Sequence, residues 1–453
     1  MHQEKNLKRN SYAKFLCWAF ITFTLIVLLY TYFRAEVTFN GTRNNIYYKY
    51  YFLSLFSLFF WSIVLKVKDE IRLNIVLIIS SITFSIYLVE IIISLVLSSY
   101  SSSEQDTRTV YEVYSDLLDK GMDVVPSVRP TIFVLSDGLP HKNNTHLFPL
   151  AGVSNKTTVY CNESGERIIY ESDQYGFRNL DSAWNLKRDI WAIVGNSFAH
   201  GACVKDEEKI ATQIQNLKKN NSVLSFGIGG NGPLIELATL QEYLTSLEPD
   251  VVMWFYFEGN DLVNNLKYEL NSPLLRSYLN PNFTQNLQQR QPEIDFWLNK
   301  HIGDSINLKN EKILSRLENF IQNSRTIRLL NIRRFIGIDK QEEDFIVSPL
   351  YKQILSEAKE RVEKWEGKLF FVYIPEYSRY LLKDQDDLDF RARGEVLNIV
   401  KSLNIPIIDI HEKVFKKYTD PLSFFPKRTE PHYTPEGYKL MGEALVEGIE
   451  NVN

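Results

Sequence analysis

Four short stretches of the chain carry residue types that together could break an ester bond. Gly195-Asn196-Ser197 follows an apolar run, Ile190 to Val194. A serine at a strand-to-helix turn aims its hydroxyl and its own N–H at one place, and a helix N-terminus there favours a developing oxyanion. Gly227-Ile228-Gly229-Gly230-Asn231-Gly232 follows Val223 to Phe226, and Glu258-Gly259-Asn260-Asp261 follows Val251 to Phe257. A glycine lets its N–H approach a ligand closely, and an Asn amide is a strong neutral donor. Glu430-Pro431-His432 precedes the last helical stretch. A neutral imidazole can take a serine proton, and a nearby carboxylate can fix its tautomer. Each stretch alone reads more simply as a helix cap, a turn or a surface histidine. Their conjunction at separate strand ends is what points to nucleophilic chemistry at Ser197.

Those strand ends need a sheet. From Ile190 onward, continuous apolar runs alternate with helical patterns, which predicts a parallel sheet covered on both faces. The expected strands are Ile190–Val194, Val223–Phe226, Val251–Phe257, Lys368–Ile374 and Ile405–Ile410. The expected helices are about Ser197–Leu217, Leu234–Ser246, Leu350–Trp365 and one starting at Pro435. Ligands of such sheets bind at the carboxyl ends of strands, where all four stretches fall. A long insertion, residues 262–348, reads as polar and helical. Its arginines Arg325, Arg328, Arg333 and Arg334 suit lipid headgroups, an acidic glycan or, more simply, a solvated helix face.

In that order, Ser, Gly, Asn and His resemble the blocks of the SGNH (GDSL-like) hydrolase superfamily. Gly195-Asn196-Ser197 looks like its Gly-Asp-Ser block with Asn for Asp; Gly230, or its neighbour Gly229, fits the second block. Asn260 in Gly259-Asn260-Asp261 fits the third, and His432 with Tyr433-Thr434-Pro435-Glu436-Gly437-Tyr438 fits the last. The likeness covers about Asp173 to Ile449, with the insertion unmatched. It implies a flavodoxin-like three-layer α/β/α domain and a serine esterase or O-acyltransferase. The implied site is Ser197 as nucleophile, Gly230 and Asn260 as oxyanion donors, and His432 as base. The family's acid is an Asp two or three residues before the His. Here the position two before is Glu430, so Glu430 is the expected acid, with a longer side chain to fit.

The rest of the chain bounds the setting. A net charge of -4 excludes a strongly basic nucleic-acid binder. Residues 1–100 read as a membrane anchor with three transmembrane helices, at about 15–33, 48–66 and 73–98. Basic residues before the first run favour a cytoplasmic N-terminus, which places the remainder outside the cytoplasm. Residues 101–185 read as a linker and an N-terminal apron with a turn at Asp173–Asn179, and 186–453 as the catalytic domain. Glu90 is a lone charge in the third run, a functional residue by default or, more simply, one late in the span that reaches a neighbouring helix or the outer interface. Cys161 and Cys203 could pair in an exported domain, although two unrelated thiols are the simpler reading. The expected partners are an acylated carbohydrate or other ester, membrane lipid around the helices and a membrane acyl-donor protein, with neither cofactor nor metal. Two rivals remain: a dinucleotide site at the Gly-rich turn with Glu258 on the ribose, and an α/β-hydrolase with Asp409 as acid. A non-catalytic glycan-binding relative is a third class.

Overall fold

The computed structural model describes residues 2–38, 44–98, 106, 108–140, 146–184, 189–310, 324, 326–335, 347–381, 390–428 and 430–452. The expected linker lies outside these apart from Asp106, as do Arg325 and the Arg334 side chain. The chain divides into two compact units, Met1–Val96 with Ile321–Lys340, and Leu97–Phe320 with Gln341–Asn453.

The first unit holds helices α1 (His2–Tyr32), α2 (Asn44–Val64) and α3 (Asp69–Ser98). Ser11–Val37 and Asp69–Val96 are long and apolar enough to cross a membrane, by length and composition. The predicted middle span falls on α2, which is not among the helices of the described residues long and apolar enough to cross. Phe20 stacks on Trp61 at 4.4 Å, joining α1 to α2. Arg72 is buried and donates to the carbonyls of Val64, Leu65 and Val67, which satisfies the frayed end of α2. Glu90 is fully buried. Its carboxylate accepts from the Asn331 N–H at 3.0 Å and the Ile332 N–H at 2.8 Å, at the start of the short helix Leu330–Phe335. The lone charge of the apolar run is therefore paired with a helix terminus contributed by the insertion.

The second unit is built on five parallel strands: β1 (Asp189–Val194), β2 (Asn221–Ser225), β3 (Val251–Phe257), β4 (Lys368–Ile374) and β5 (Ile407–Asp409). Their order across the sheet is β5-β4-β3-β1-β2, the flavodoxin-like order, and each pairing is parallel. Side chains alternate between two cores with the period of a strand. Ala192, Val194, Trp254, Tyr256, Phe371 and Tyr373 face one core, and Ile193, Met253, Phe255, Phe370 and Val372 face the other. Helices Pro233–Thr239, Pro349–Lys364 and Arg393–Ser402 cover the first face; Ile210–Leu217 and Pro435–Glu450 cover the second. Both faces are buried, which is why the strands read as unbroken apolar runs.

Two expectations change. No long helix starts at Ser197: residues 197–203 form successive turns, and the helix begins at Ile210. Gly201 and Cys203 adopt left-handed backbone, with φ of 69° and 60°, which a continuing right-handed helix excludes. The insertion is also less polar in role than in composition. Its Leu266, Leu275, Tyr278, Leu287, Ile294 and Leu298 enter the first core. Glu242, from the cover of that face, accepts from the Gln285 and Leu287 N–H groups and the Tyr278 hydroxyl, stitching the insertion down.

The apron packs on the first core through Val125, Val128, Phe133 and Phe148. Its strands Thr157–Val159 and Ile169–Glu171 pair antiparallel. The loop at their tip carries Cys161, and Cys161 is joined to Cys203 by a disulfide with Cα atoms 5.3 Å apart. The two are partners rather than unrelated thiols. Closing a loop with a sequence separation of 42 restricts the unfolded chain, a constraint worth about 4 kcal/mol. Replacing both cysteines by Ser should cost roughly that much in denaturant unfolding of the protein; an unchanged unfolding midpoint would contradict this role.

Candidate active site

Ser197 and His432 meet at the carboxyl edge of the sheet with the glycine-rich turn beside them, and Asn260 follows the end of the neighbouring strand β3. Gly195 sits directly after β1 because a Cβ there would lie 2.7 Å from the Phe255 Cβ of the neighbouring strand. Gly227 is needed for the same reason: its Cβ would lie 2.3 Å from the Ala199 Cβ of the turn after Ser197. The glycine-rich turn is thus a fitted neighbour of the serine turn.

The Ser197 hydroxyl donates to His432 Nε2 at 2.7 Å. On the other side of the ring, His432 Nδ1 donates to Glu163 Oε1 at 2.6 Å. The expected acid, Glu430, is therefore corrected to Glu163. Glu430, two residues before the histidine, lies just past the Pro426–Arg428 turn, and its N–H donates to the Pro426 carbonyl. The carboxylate that reaches the imidazole comes instead from the apron hairpin. Glu163 is two residues after Cys161, and the bridge ties that tip to Cys203 in the loop after the nucleophile. The tip is closed by Tyr160 N–H to the Ile168 carbonyl, Ile168 N–H to the Cys161 carbonyl and Gly165 N–H to Asn162 Oδ1. The Phe198 ring, 5.2 Å from that of His432, packs beside the imidazole.

Oxyanion donors can be sorted by what already occupies them. Gly229 donates its N–H to His200 Nδ1 at 3.3 Å. The Gly230 N–H makes no hydrogen bond among the described residues, and Gly230 has a φ of 89°, which favours glycine. Of the two glycines, Gly230 is therefore the one whose N–H is uncommitted among the described residues. Ser197 lies beside this turn, since a Cβ on Gly229 would be 3.8 Å from the Ser197 Cβ. Asn260 follows β3, which pairs with β1 through Val194 and Trp254. Its Oδ1 is buried without a partner among the described residues, while its backbone carbonyl accepts from the Asn264 and Asn265 N–H groups.

Asn196 explains its own identity. Its Oδ1 accepts from the Phe198 N–H at 3.0 Å, and its Nδ2 donates to Asp261 Oδ1 at 2.8 Å. Asp261 Oδ2 in turn accepts from the Phe257 N–H at 2.7 Å. This buried bridge fastens the nucleophile turn to the Asn260 turn. A carboxylate at 196 would face the Asp261 carboxylate; the amide avoids that repulsion. Burial pushes the Asp261 carboxyl well above its ordinary range, as burial also does to Glu269, whose carboxyl is pushed up to about 8. Glu269 accepts from the Gly232 and Leu234 N–H groups, holding the far end of the glycine-rich turn.

His200 had no signal as a lone histidine. It is buried, accepts from Gly229 and hydrogen-bonds the Tyr170 hydroxyl through Nε2 at 3.1 Å. Burial, reinforced by the Arg178 charge, holds its pKa well below the usual imidazole value. It is a neutral strut under the glycine turn. Arg178, from the expected apron turn, donates to the Gly201 and Val204 carbonyls and to Asp206, fixing the loop that leads to Cys203. Asp173 gathers Asn179 and Trp184, and Asn179 exchanges hydrogen bonds with Ser225 of β2.

The rival sites lose their key residues. Glu258 is fully buried and paired with Arg379, with the Glu376 N–H as a further donor, so it is not presented to a ribose. Asp409 pairs with Arg393 and accepts from the Glu412 N–H. Glu163, Cys203 and His432 have ligating atoms within 4.8 Å of one another. The sulfur is in the bridge and both imidazole nitrogens are in the Ser–His–Glu chain, so these donors are committed.

No family model matches the chain, and no curated protein matches it. Solved structures similar to it include a lipolytic protein of the G-D-S-L family from Desulfitobacterium hafniense DCB-2, at 13% identity and a TM-score of 0.30, covering 58% of this chain and 99% of that one. Another is the lipase/acylhydrolase from Enterococcus faecalis, at 12% identity and a TM-score of 0.32, covering 58% of this chain and 96% of that one. A third is an acetylxylan esterase from Geobacillus stearothermophilus, at 12% identity and a TM-score of 0.30, covering 58% of this chain and 94% of that one. At that level of likeness the reading of the site stands on its own geometry.

The Asn196–Asp261 bridge can be tested by exchange. Asn196→Asp alone should destabilise the protein by about 1–3 kcal/mol through two facing buried carboxyls. Adding Asp261→Asn should recover most of that loss in denaturant unfolding. Additive losses in the double variant would show that the two side chains are not coupled.

Proposed function

We propose that this chain is a serine esterase of the SGNH type that cleaves acyl esters on a cell-envelope polysaccharide or related acylated glycan. The observation that carries this reading is the continuous Ser197–His432–Glu163 hydrogen-bond chain beside an uncommitted Gly230 N–H. Ser197 Oγ attacks the ester carbonyl while His432 Nε2 takes its proton. Glu163 holds Nδ1–H, so Nε2 stays the basic nitrogen, and it stabilises the imidazolium that forms. The N–H groups of Ser197 and Gly230 and the Asn260 amide bind the tetrahedral oxyanion. When the intermediate collapses, His432 returns the proton to the leaving sugar oxygen, leaving an acyl-serine. Water, activated by the same histidine, then releases the acid.

The apolar helices favour a second outcome of the same chemistry. They would hold the domain at a membrane beside an acyl-donor partner protein, with the acyl group passed to an extracytoplasmic glycan hydroxyl instead of water. The three-span anchor and the outward-facing domain belong to this proposal. The Cys161–Cys203 bridge supports them, because such bridges persist in oxidising compartments.

The purified protein should release acetate from a small acetyl ester. Asn260→Ala should lower kcat by about 10²–10³ while the domain stays folded. Full activity in that variant would remove Asn260 from the oxyanion site. Product that forms only when a glycan acceptor is added would assign the transferase outcome.

A further inference from the structure

Arg129 stands beside the proposed oxyanion turn with no task in the chemistry above. A Cβ placed on Gly229 would lie 3.1 Å from the Tyr160 hydroxyl, 3.8 Å from Arg129 Nε and 3.8 Å from the Ser197 Cβ. A Cβ placed on Gly230 would lie 3.3 Å from Thr131 Oγ1 and 3.8 Å from Arg129 Cδ. The guanidinium stem therefore runs along the glycine pair that borders the serine.

Two further observations separate it from an ordinary surface arginine. Its side chain is exposed and makes no hydrogen bond or ion pair among the described residues. Its backbone, by contrast, is held on both sides. Val128 and Phe133 are buried in the first core, Pro130 follows directly, and the Arg129 carbonyl accepts from the Ile132 N–H. The residue before a proline is confined to extended backbone, and Arg129 has φ -103° and ψ 131°. A cation whose backbone is pinned while its five donors stay unpaired is pre-organised for a ligand that brings the oxygens. The nearby cations are already engaged: Arg178 and Lys209 share Asp206. The nearby carboxylate, Glu163, is held on His432.

We propose that Arg129 binds an oxyanion on the sugar that bears the ester, a carboxylate or a phosphate, so that the site selects acylated acidic glycans over neutral ones. Guanidinium matches both groups through paired N–H donors. This rests on the esterase reading of Ser197 and goes beyond it by naming the substrate's charge.

The test compares kcat/KM of the whole protein on acetylated glucuronic acid, acetylated glucose 6-phosphate and acetylated glucose, with fluorophosphonate labelling of Ser197 run in parallel. The wild type should favour at least one anionic ester over the neutral one by about ten- to hundredfold, and the preference should shrink as salt is raised. Arg129→Gln should bring that ratio close to one, while Arg129→Lys, which keeps the charge but not the fork, should retain part of it. The better of the two anionic arms identifies the oxyanion. A labelled wild type whose ratio is near one, or that turns over no anionic ester, overturns this inference and leaves the esterase reading standing. A preference equally strong in Arg129→Gln overturns it as well. A protein that is neither labelled nor active on any ester overturns both.

Discussion

The hydrogen bond from His432 Nδ1 to Glu163 joins residues 269 positions apart, and much of the second unit is arranged around meeting that demand. A carboxylate borrowed from so far away has to be delivered by a segment that is itself fixed. The apron hairpin is fixed three times. Its own turn hydrogen bonds shape the tip, the Cys161–Cys203 bridge ties the tip to the loop after Ser197, and Tyr160 and Tyr170 pack with Ala202 and Cys203 in a small core of their own. The acid and the nucleophile are thus held by the same loop, residues 199–206. Arg178 and the left-handed Gly201 and Cys203 set the course of that loop.

The same economy appears on the other side of the serine. Asn196 and Asp261 lock the ends of adjacent strands β1 and β3, while His200 and Glu269 hold the two ends of the glycine turn. These struts are buried: burial and the Arg178 charge disfavour the protonated form of His200, burial disfavours the charged form of Asp261, and burial with the Asp261 charge disfavours that of Glu269. A rigid scaffold of buried, hydrogen-bonded groups is what a pre-organised oxyanion site requires.

The sheet was legible from residues alone, and so was the placing of Ser197, Gly230 and Asn260 after its strands. Each strand of a parallel sheet is buried on both faces, so its sequence is a plain apolar run, and polar residues at its end stand out against it. The order Ser, Gly, Asn, His survives because each belongs to a different strand end or to the start of the last helix. The acid was not legible. Glu430 stands near His432 in sequence, whereas Glu163 is brought to it in space by a hairpin whose sequence signal is a cysteine two residues away. The Cys161–Cys203 bridge is what brings that carboxylate to the loop after Ser197. The helix expected from Ser197 failed for a local reason, since hydropathy does not report the left-handed turns at Gly201 and Cys203. Asn196 read as a departure from the Gly-Asp-Ser block; its partner Asp261 shows the amide to be the fitted choice.

The central claim is that Glu163, and not Glu430, orients the base that activates Ser197. Its most direct test is the rate of fluorophosphonate labelling of Ser197 across pH in the wild type and in His432→Ala, Glu163→Gln and Glu430→Gln. The account predicts that labelling is nearly abolished in His432→Ala, slowed by about a hundredfold or more in Glu163→Gln, and close to wild type in Glu430→Gln. Slow labelling in Glu430→Gln with normal labelling in Glu163→Gln would contradict it.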